Sequence, residues 1–184
     1  MDRLDIDNIL KIDYLNSELE LERASSIYGR LRWMVKEDSS LEPVRLHLRN
    51  LIKKYESENW SKEDKITDEQ IMESDLAEKI VEAEILFISR RKDLIKAKLI
   101  ENELTQKDLG KILGHRPNYI SELMNGVRPF SRDDIVVIHR LFDIEFKYLI
   151  PPFIKKEITD HIKSTLGELN SPKVRLKIEG LEAV

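Results

Sequence analysis

The segment Leu104-Thr-Gln-Lys-Asp-Leu-Gly-Lys-Ile-Leu-Gly-His-Arg-Pro-Asn-Tyr-Ile-Ser-Glu-Leu-Met-Asn-Gly126 divides into two short helices around a tight turn. Thr105 is placed to cap the first helix, Gln106–Leu113 forms it, and Gly114 stops it. Pro117 opens the second helix. A proline is tolerated there because the first turn leaves its amide unused anyway. The second helix runs to Asn125 and stops at Gly126, a pair suited to a left-handed C-cap. Leu109, Leu113, Ile120 and Leu123 fall where the two helices must bury apolar side chains against each other. Gly110 is small at the point of closest crossing, and Gly114 can take a positive φ at the turn.

Such a packing leaves Arg116, Asn118, Tyr119, Ser121 and Glu122 as the outward side chains of the second helix. A helix presented this way fits the major groove of DNA, where its N-terminal residues reach base edges. Arginine suits guanine, asparagine suits adenine, and Glu122 could accept from cytosine; Glu122 could instead face solvent or pair with Arg116. Thr105, Gln106, Lys107, Asn125 and Arg128 are the candidate phosphate contacts, because backbone donors at a helix start favour an anion. Thr105 and Asn125 can serve as caps as well. Lys111 and Arg132 would widen the footprint.

Outward from this segment the punctuation stays helical. Ser131 caps a helix carrying Asp133 and Asp134 in its first turn, where the dipole favours acids, and Ile135, Ile138, Leu141 and Phe142 behind them. A short helix over 145–150 meets Pro151-Pro152. Upstream, Thr67 and Gln70 have capping-box spacing, and Ser74 offers a second start. Leu76, Ile80, Ala83, Phe87, Arg91, Leu94 and Lys98 share one face, widened by Ile88, Ile95 and Leu99. A helix over 75–102 would be roughly 42 Å long, straight or broken near Ser89. Earlier still, Tyr14, Ser17, Leu21, Ala24, Tyr28, Leu31 and Val35 make one stripe, and Val44, Leu48, Leu51, Ile52 and Tyr55 another. The break between them at 37–43 predicts a helical hairpin. Residues 56–67 read as a linker, with Trp60 pinned against a helix. In the tail, Ile154, Ile158, Ile162, Leu166 and Leu169 suggest an amphipathic helix. Val174, Leu176 and Ile178 alternate with Lys173, Arg175 and Lys177 as a strand would, so 171–180 is expected to pair at an edge.

The central segment, continued through Arg128-Pro129-Phe130-Ser131 to about Ile150, resembles the Cro/repressor-type (XRE-like) helix-turn-helix. Gly110, where that family usually has alanine, and Pro117 are the departures. The resemblance implies an all-α, five-helix, lambda-repressor-like DNA-binding domain with helices over 90–102, 105–113, 117–125, 131–142 and 145–150. A narrower resemblance rests on Thr105-Gln106-Lys107-Asp108-Leu109, Ser121-Glu122-Leu123-Met124-Asn125-Gly126, Arg128-Pro129 and Leu149-Ile150-Pro151. Upstream it adds Leu48-Arg49-Asn50-Leu51-Ile52 with Tyr55-Glu56 and Asn59-Trp60. These resemble HigA-type antitoxins of toxin–antitoxin operons. That resemblance implies a homodimer that binds double-stranded operator DNA, represses its own operon and neutralises a small basic RelE-like RNase toxin. The expected organisation is a helical extension over 1–66, a connecting helix over 67–89, the helix-turn-helix domain over 90–152 and a tail over 153–184.

Composition bounds the alternatives. The 184 residues suit one ordinary domain or two small ones. Apolar residues are 41%, enough for a core, and Cys is absent, which removes thiol nucleophiles, disulfides and cysteine–zinc sites. His47, His115, His139 and His161 show no ligand spacing, so no metal and no cofactor are expected. No Ser/His/Asp constellation points to an enzyme. No apolar run is long enough for a membrane span, and a soluble cytoplasmic protein is expected. Charge is uneven. Residues 1–89 carry 13 Lys+Arg against 21 Asp+Glu, whereas 90–156 carry 14 against 9. The basic block could meet phosphate and the acidic half a basic protein. The other function class consistent with these features is an XRE-family regulator without a toxin, its N-terminal half used for dimerisation or ligand sensing.

Overall fold

The computed structural model describes residues 4, 6–61, 66–154 and 156–169. Among them the regular structure is all helical. The elements are α1 (Ile6–Ile9), α2 (Glu18–Met34), a 3-10 turn (Ser39–Leu41), α3 (Glu42–Asn59), α4 (Asp68–Glu101), α5 (Gln106–Leu113), α6 (Pro117–Met124), α7 (Arg132–Phe142), α8 (Phe146–Leu149) and α9 (Lys156–Glu168). The all-α expectation holds. The strand expected over 171–180 lies outside the described residues.

The hairpin forms from α2 and α3. Helix α2 starts at Glu18, not at Tyr14, because the Ser17 hydroxyl accepts the Glu20 amide and caps it there. Tyr14 consequently stays exposed. Leu21, Ala24, Ile27 and Leu31 of α2 bury against Val44, Leu48 and Leu51 of α3. The preceding segment completes this core, with Ile6, Ile9, Ile12 and Leu15 all buried. His47 Nε2 lies 2.8 Å from the Ile12 carbonyl oxygen and ties that segment to α3. Helix α3 continues to Asn59, four residues into the stretch read as a linker. Trp60 is pinned as expected. Its indole N–H donates to Glu18 Oε1 at 3.1 Å, and Tyr55 Oη donates to the same oxygen at 2.9 Å. Glu18 is buried in the first turn of α2, where the helix dipole favours its charge. Burial, followed by the Glu18 bond, pushes the Tyr55 hydroxyl pKa upward.

Helix α4 is one continuous element of 34 residues, about 51 Å long, so the boundary expected near residue 89 falls inside it. The expected buried face is met in the C-terminal half of α4, at Arg91, Ile95 and Leu99, and is rotated by one position in the N-terminal half, where Ala77 and Val81 replace Leu76 and Ile80. Ala77, Val81, Arg91, Ile95 and Leu99 are buried, while Leu76 and Leu94 are exposed. The small Ala77 and Val81 lie along the half that packs on α2. The Arg23 guanidinium of α2 also grips Glu84 with contacts of 2.5 and 3.2 Å, which fixes the rotation. The other half of α4 joins α5 to α8 around a second core of Ile95, Leu99, Leu109, Ile120, Leu123, Met124, Phe130, Ile138, Phe142, Ile144 and Leu149. The small residue at 110 is explained: a Cβ there would stand 3.1 Å from the His115 carbonyl oxygen.

One residue crosses between the cores. Val127, just past α6, is buried in the hairpin core and not in its own.

Replacing Glu18 by Ala leaves the Trp60 and Tyr55 donors without their acceptor. The expected loss is about 1–3 kcal/mol of unfolding free energy in urea titration, with a changed Trp60 emission.

Candidate nucleic-acid interface

The helix-turn-helix is built as its punctuation implies. Thr105 and Asp108 form a reciprocal capping box at the start of α5. The Thr105 hydroxyl, together with Lys111, holds the Asp108 carboxyl down to about 2. Gly114 takes φ 73° at the turn. Ser131 and Asp134 form a second capping box at α7. Asp134 is buried and its Oδ1 lies 2.9 Å from His115 Nε2, so His115 ties the turn to α7. His139 is half-buried, with Nδ1 2.8 Å from the Ile144 carbonyl oxygen and its ring stacked on Phe146.

The ten candidate DNA contacts fall into three groups, with Asn118 belonging to the first and the third. Arg116, Asn118 and Tyr119 are exposed at the N-terminal end of α6, with Gln106 half-buried and Lys107 exposed at the start of α5. Tyr119 packs against His115 at 4.7 Å between ring centroids. Thr105 is committed to its cap and remains exposed.

A second group is turned inward. Glu122 is buried and accepts from Arg128 Nε, so its carboxylate is not presented outward as expected but faces the turn after α6. The Glu122 carbonyl oxygen also accepts the Val127 and Arg128 amides. Ser121 is half-buried, and its Oγ accepts from Asn125 Nδ2 at 3.3 Å. Asn125 is a latch. Its Oδ1 accepts from Lys92 Nζ at 2.6 Å and its Nδ2 donates to the Ser121 carbonyl oxygen at 2.9 Å, joining α4 to the end of α6.

The third group is held by the acidic half of the chain. Asn118 Nδ2 donates to Asp38 Oδ2 at 2.8 Å. The Ser40 hydroxyl and amide, and then Asn118, lower the pKa of the Asp38 carboxyl. Arg128 pairs with Asp7 as well as Glu122, and lies over the Tyr119 ring at 5.0 Å. Burial opposes the Arg128 charge, but the hydrogen bonds to Asp7 and Glu122 outweigh it.

Three partners of the site residues could not be foreseen from local spacing. Asp7, Asp38 and Arg30 lie 80 to 121 residues from the groups they hold. Arg30 is the most consequential. Its NH1 donates at 3.1 Å to both the Asn125 and Gly126 carbonyl oxygens. Those carbonyls end the recognition helix, where a cation is favoured.

Residues 95–149 match the model of the family described as "Helix-turn-helix". The match covers the second core and all of α5 to α8, and it identifies an XRE-family helix-turn-helix domain in the chain. No curated protein and no solved structure matches the chain.

If DNA and Asp38 compete for Asn118, an Asp38→Ala chain should bind a short duplex severalfold more tightly at low salt. That size follows from the roughly 0.5–1.5 kcal/mol net value of one hydrogen bond. Gel-shift titration of both chains at one salt concentration checks it.

Proposed function

We propose that this DNA-binding regulator acts as a homodimeric, operon-repressing antitoxin that also binds a small basic toxin through its acidic N-terminal half. The DNA-binding part rests on the exposed Arg116, Asn118 and Tyr119 at the start of α6, mounted on the basic block of the chain. Side chains at that end of a helix reach base edges in the major groove, while phosphate contacts set its register. A single such helix buries too little to be selective. Two copies would place their recognition helices roughly 34 Å apart on a palindromic site.

The toxin-binding part is supported by α4. Met72, Leu76 and Leu86 are exposed along its N-terminal portion. Glu73, Asp75, Glu78 and Glu82 flank them and are exposed too, with exposed Lys79 the one cation between Leu76 and Leu86. An apolar row bordered by carboxylates suits a partner with an apolar patch rimmed by lysine and arginine. A second copy of the same face would bring like charges together, so the row fits a basic partner better than a dimer seam.

The test is co-expression with the neighbouring gene, tagged pull-down and gel shift on the shared upstream DNA. A stable complex with a basic protein of about 100 residues that also shifts the promoter supports both parts of the proposal. Arg116→Ala should weaken operator binding by about 1–3 kcal/mol and relax preference at one base position. Unchanged preference would remove α6 as the reader. Leu76→Lys should abolish partner capture and leave the promoter shift intact; undiminished capture would sink the assignment of this face. A promoter shift with no co-purifying partner favours the other reading, a regulator whose N-terminal half senses a ligand. A cavity described below favours that reading.

A further inference from the structure

The hairpin, α4, the turn over 126–130 and the segment over 151–154 line a partly open cavity of about 460 Å³. That volume lies within the range of small-molecule sites. Much of its wall is apolar, with Ile27, Val81, Phe87, Ile88, Phe130 and Phe153 among the lining side chains. Four arginines also line it. Two have carboxylate partners: Arg23 with Glu84, and Arg128 with Asp7 and Glu122. The other two make no ion pair among the described residues, although the Glu84 charge reaches Arg30. Arg30 donates to the Asn125, Gly126 and Ser26 carbonyl oxygens and to the Ser26 hydroxyl. Arg91 is 5% exposed and donates one hydrogen bond, from NH1 to the Leu149 carbonyl oxygen at 3.2 Å. The faces of Phe87 and Phe130 lie 5.5 and 4.9 Å from its guanidinium carbon.

A buried guanidinium is costly to keep charged without an anion beside it. Burial lowers the pKa of Arg30 and brings that of Arg91 down to about 10, so Arg91 stays a cation at neutral pH. Among the described residues no fully enclosed side-chain nitrogen lacks a partner. The Arg91 N–H groups that make no bond therefore open onto free space, and the cavity is the space that Arg91 lines. The charge count is informative too. Among the described residues four guanidinium groups line the pocket against one lining carboxylate, Glu84, while Asp7 and Glu122 reach Arg128 from beyond the lining, so the described lining is cationic. A lining of that sign favours an anion.

We infer that this cavity binds a small monocarboxylate with an apolar body, its carboxylate held by Arg91 and Arg30 and its body against the phenylalanine and isoleucine walls. Guanidinium groups match carboxylates through paired N–H donors. An inorganic anion would satisfy the arginines and leave the apolar wall unfilled. A neutral apolar molecule would fill the wall and leave the charge. The inference deepens the ligand-sensing reading above by naming a ligand class. Arg30 gives the site its reach, because the guanidinium that would meet the ligand also holds the last carbonyls of the recognition helix.

The test is isothermal titration of the purified full chain, without DNA, with 4-phenylbutyrate and octanoate. 4-Phenylbutan-1-ol and inorganic phosphate serve as the matched controls. Saturable binding of at least one carboxylate is expected, about tenfold or more tighter than the alcohol or phosphate. Arg91→Met keeps the bulk and removes the charge, and should cost about tenfold or more in carboxylate affinity. Ile85→Trp, at an exposed lining position, should weaken binding by filling the cavity and is a second variant should Arg91→Met fail to fold. No saturable binding of either carboxylate overturns the inference. So does an alcohol that binds as well as the carboxylate, phosphate that binds as well, or affinity undiminished in both variants. The titration contains no DNA and no partner, so its failure leaves the repressor and antitoxin readings standing, and a failed gel shift leaves the cavity standing.

Discussion

The Arg30 guanidinium lies against the carbonyl oxygens of Asn125 and Gly126, where the helix carrying Arg116, Asn118 and Tyr119 ends. Gly126 is the residue that permits this approach. Its φ of 66° is in the left-handed region, and a Cβ there would stand 2.7 Å from Ile88 Cγ2 and 3.0 Å from Arg30 NH1. The same glycine therefore ends the recognition helix and lets α2 and α4 close over that end. Val127 follows it into the hairpin core. Any displacement of the N-terminal half must disturb Arg30 or Val127, and both are continuous with the reading helix. The extension is mechanically part of the DNA-binding apparatus and not an appendage on a linker.

The helix-turn-helix was legible in the sequence because its constraints are local. Capping residues, left-handed glycines and apolar spacing all act within a few residues, and each left a recognisable side chain at positions 105, 114, 126 and 131. The N-terminal hairpin was legible for the same reason, through its two stripes. What misled was the long helix. Leu76 is more hydrophobic than Ala77, so in the N-terminal half periodicity alone drew the stripe one position away from the buried face, while Arg91 lay on the expected face and is buried. The real face is chosen by tertiary fit: small residues lie where α2 packs close, and an arginine is buried between two phenylalanine rings. Asp7, Asp38 and Arg30 were invisible as site residues for a related reason. Their partners are distant in the chain, and an acid in an acidic half looks like any solvated acid. Glu122 shows the limit of a helical wheel. The spacing placed it outward, but Arg128 six residues later folds back to meet it.

The uneven charge takes on a geometric meaning once the two halves are packed. Acids from the N-terminal half stand on candidate DNA contacts: Asp38 on Asn118 and Asp7 on Arg128. Both pairs are partly exposed, and exposed pairs are weak. A phosphate backbone would meet a surface on which part of its target is already neutralised by intramolecular carboxylates. Affinity for DNA would then depend on how firmly the hairpin is seated as well as on the number of basic residues.

The seating of the hairpin and the cavity arginines are one problem. Arg91 is buried and Arg30 half-buried, with carbonyls and ring faces as partners, a costly arrangement for Arg91 if packing alone were its purpose. Methionine or leucine of similar volume would fill the same places without a desolvation penalty. Two cations that line one cavity, one beside the recognition-helix terminus and one beside the loop that closes the second core, make sense together if an anion completes them. The charge balance of the junction between hairpin and helix-turn-helix would then change with occupancy of the cavity. Because the carbonyls that Arg30 holds are the last ones of α6, the change would arise beside the reading helix itself, with no relay through intervening structure.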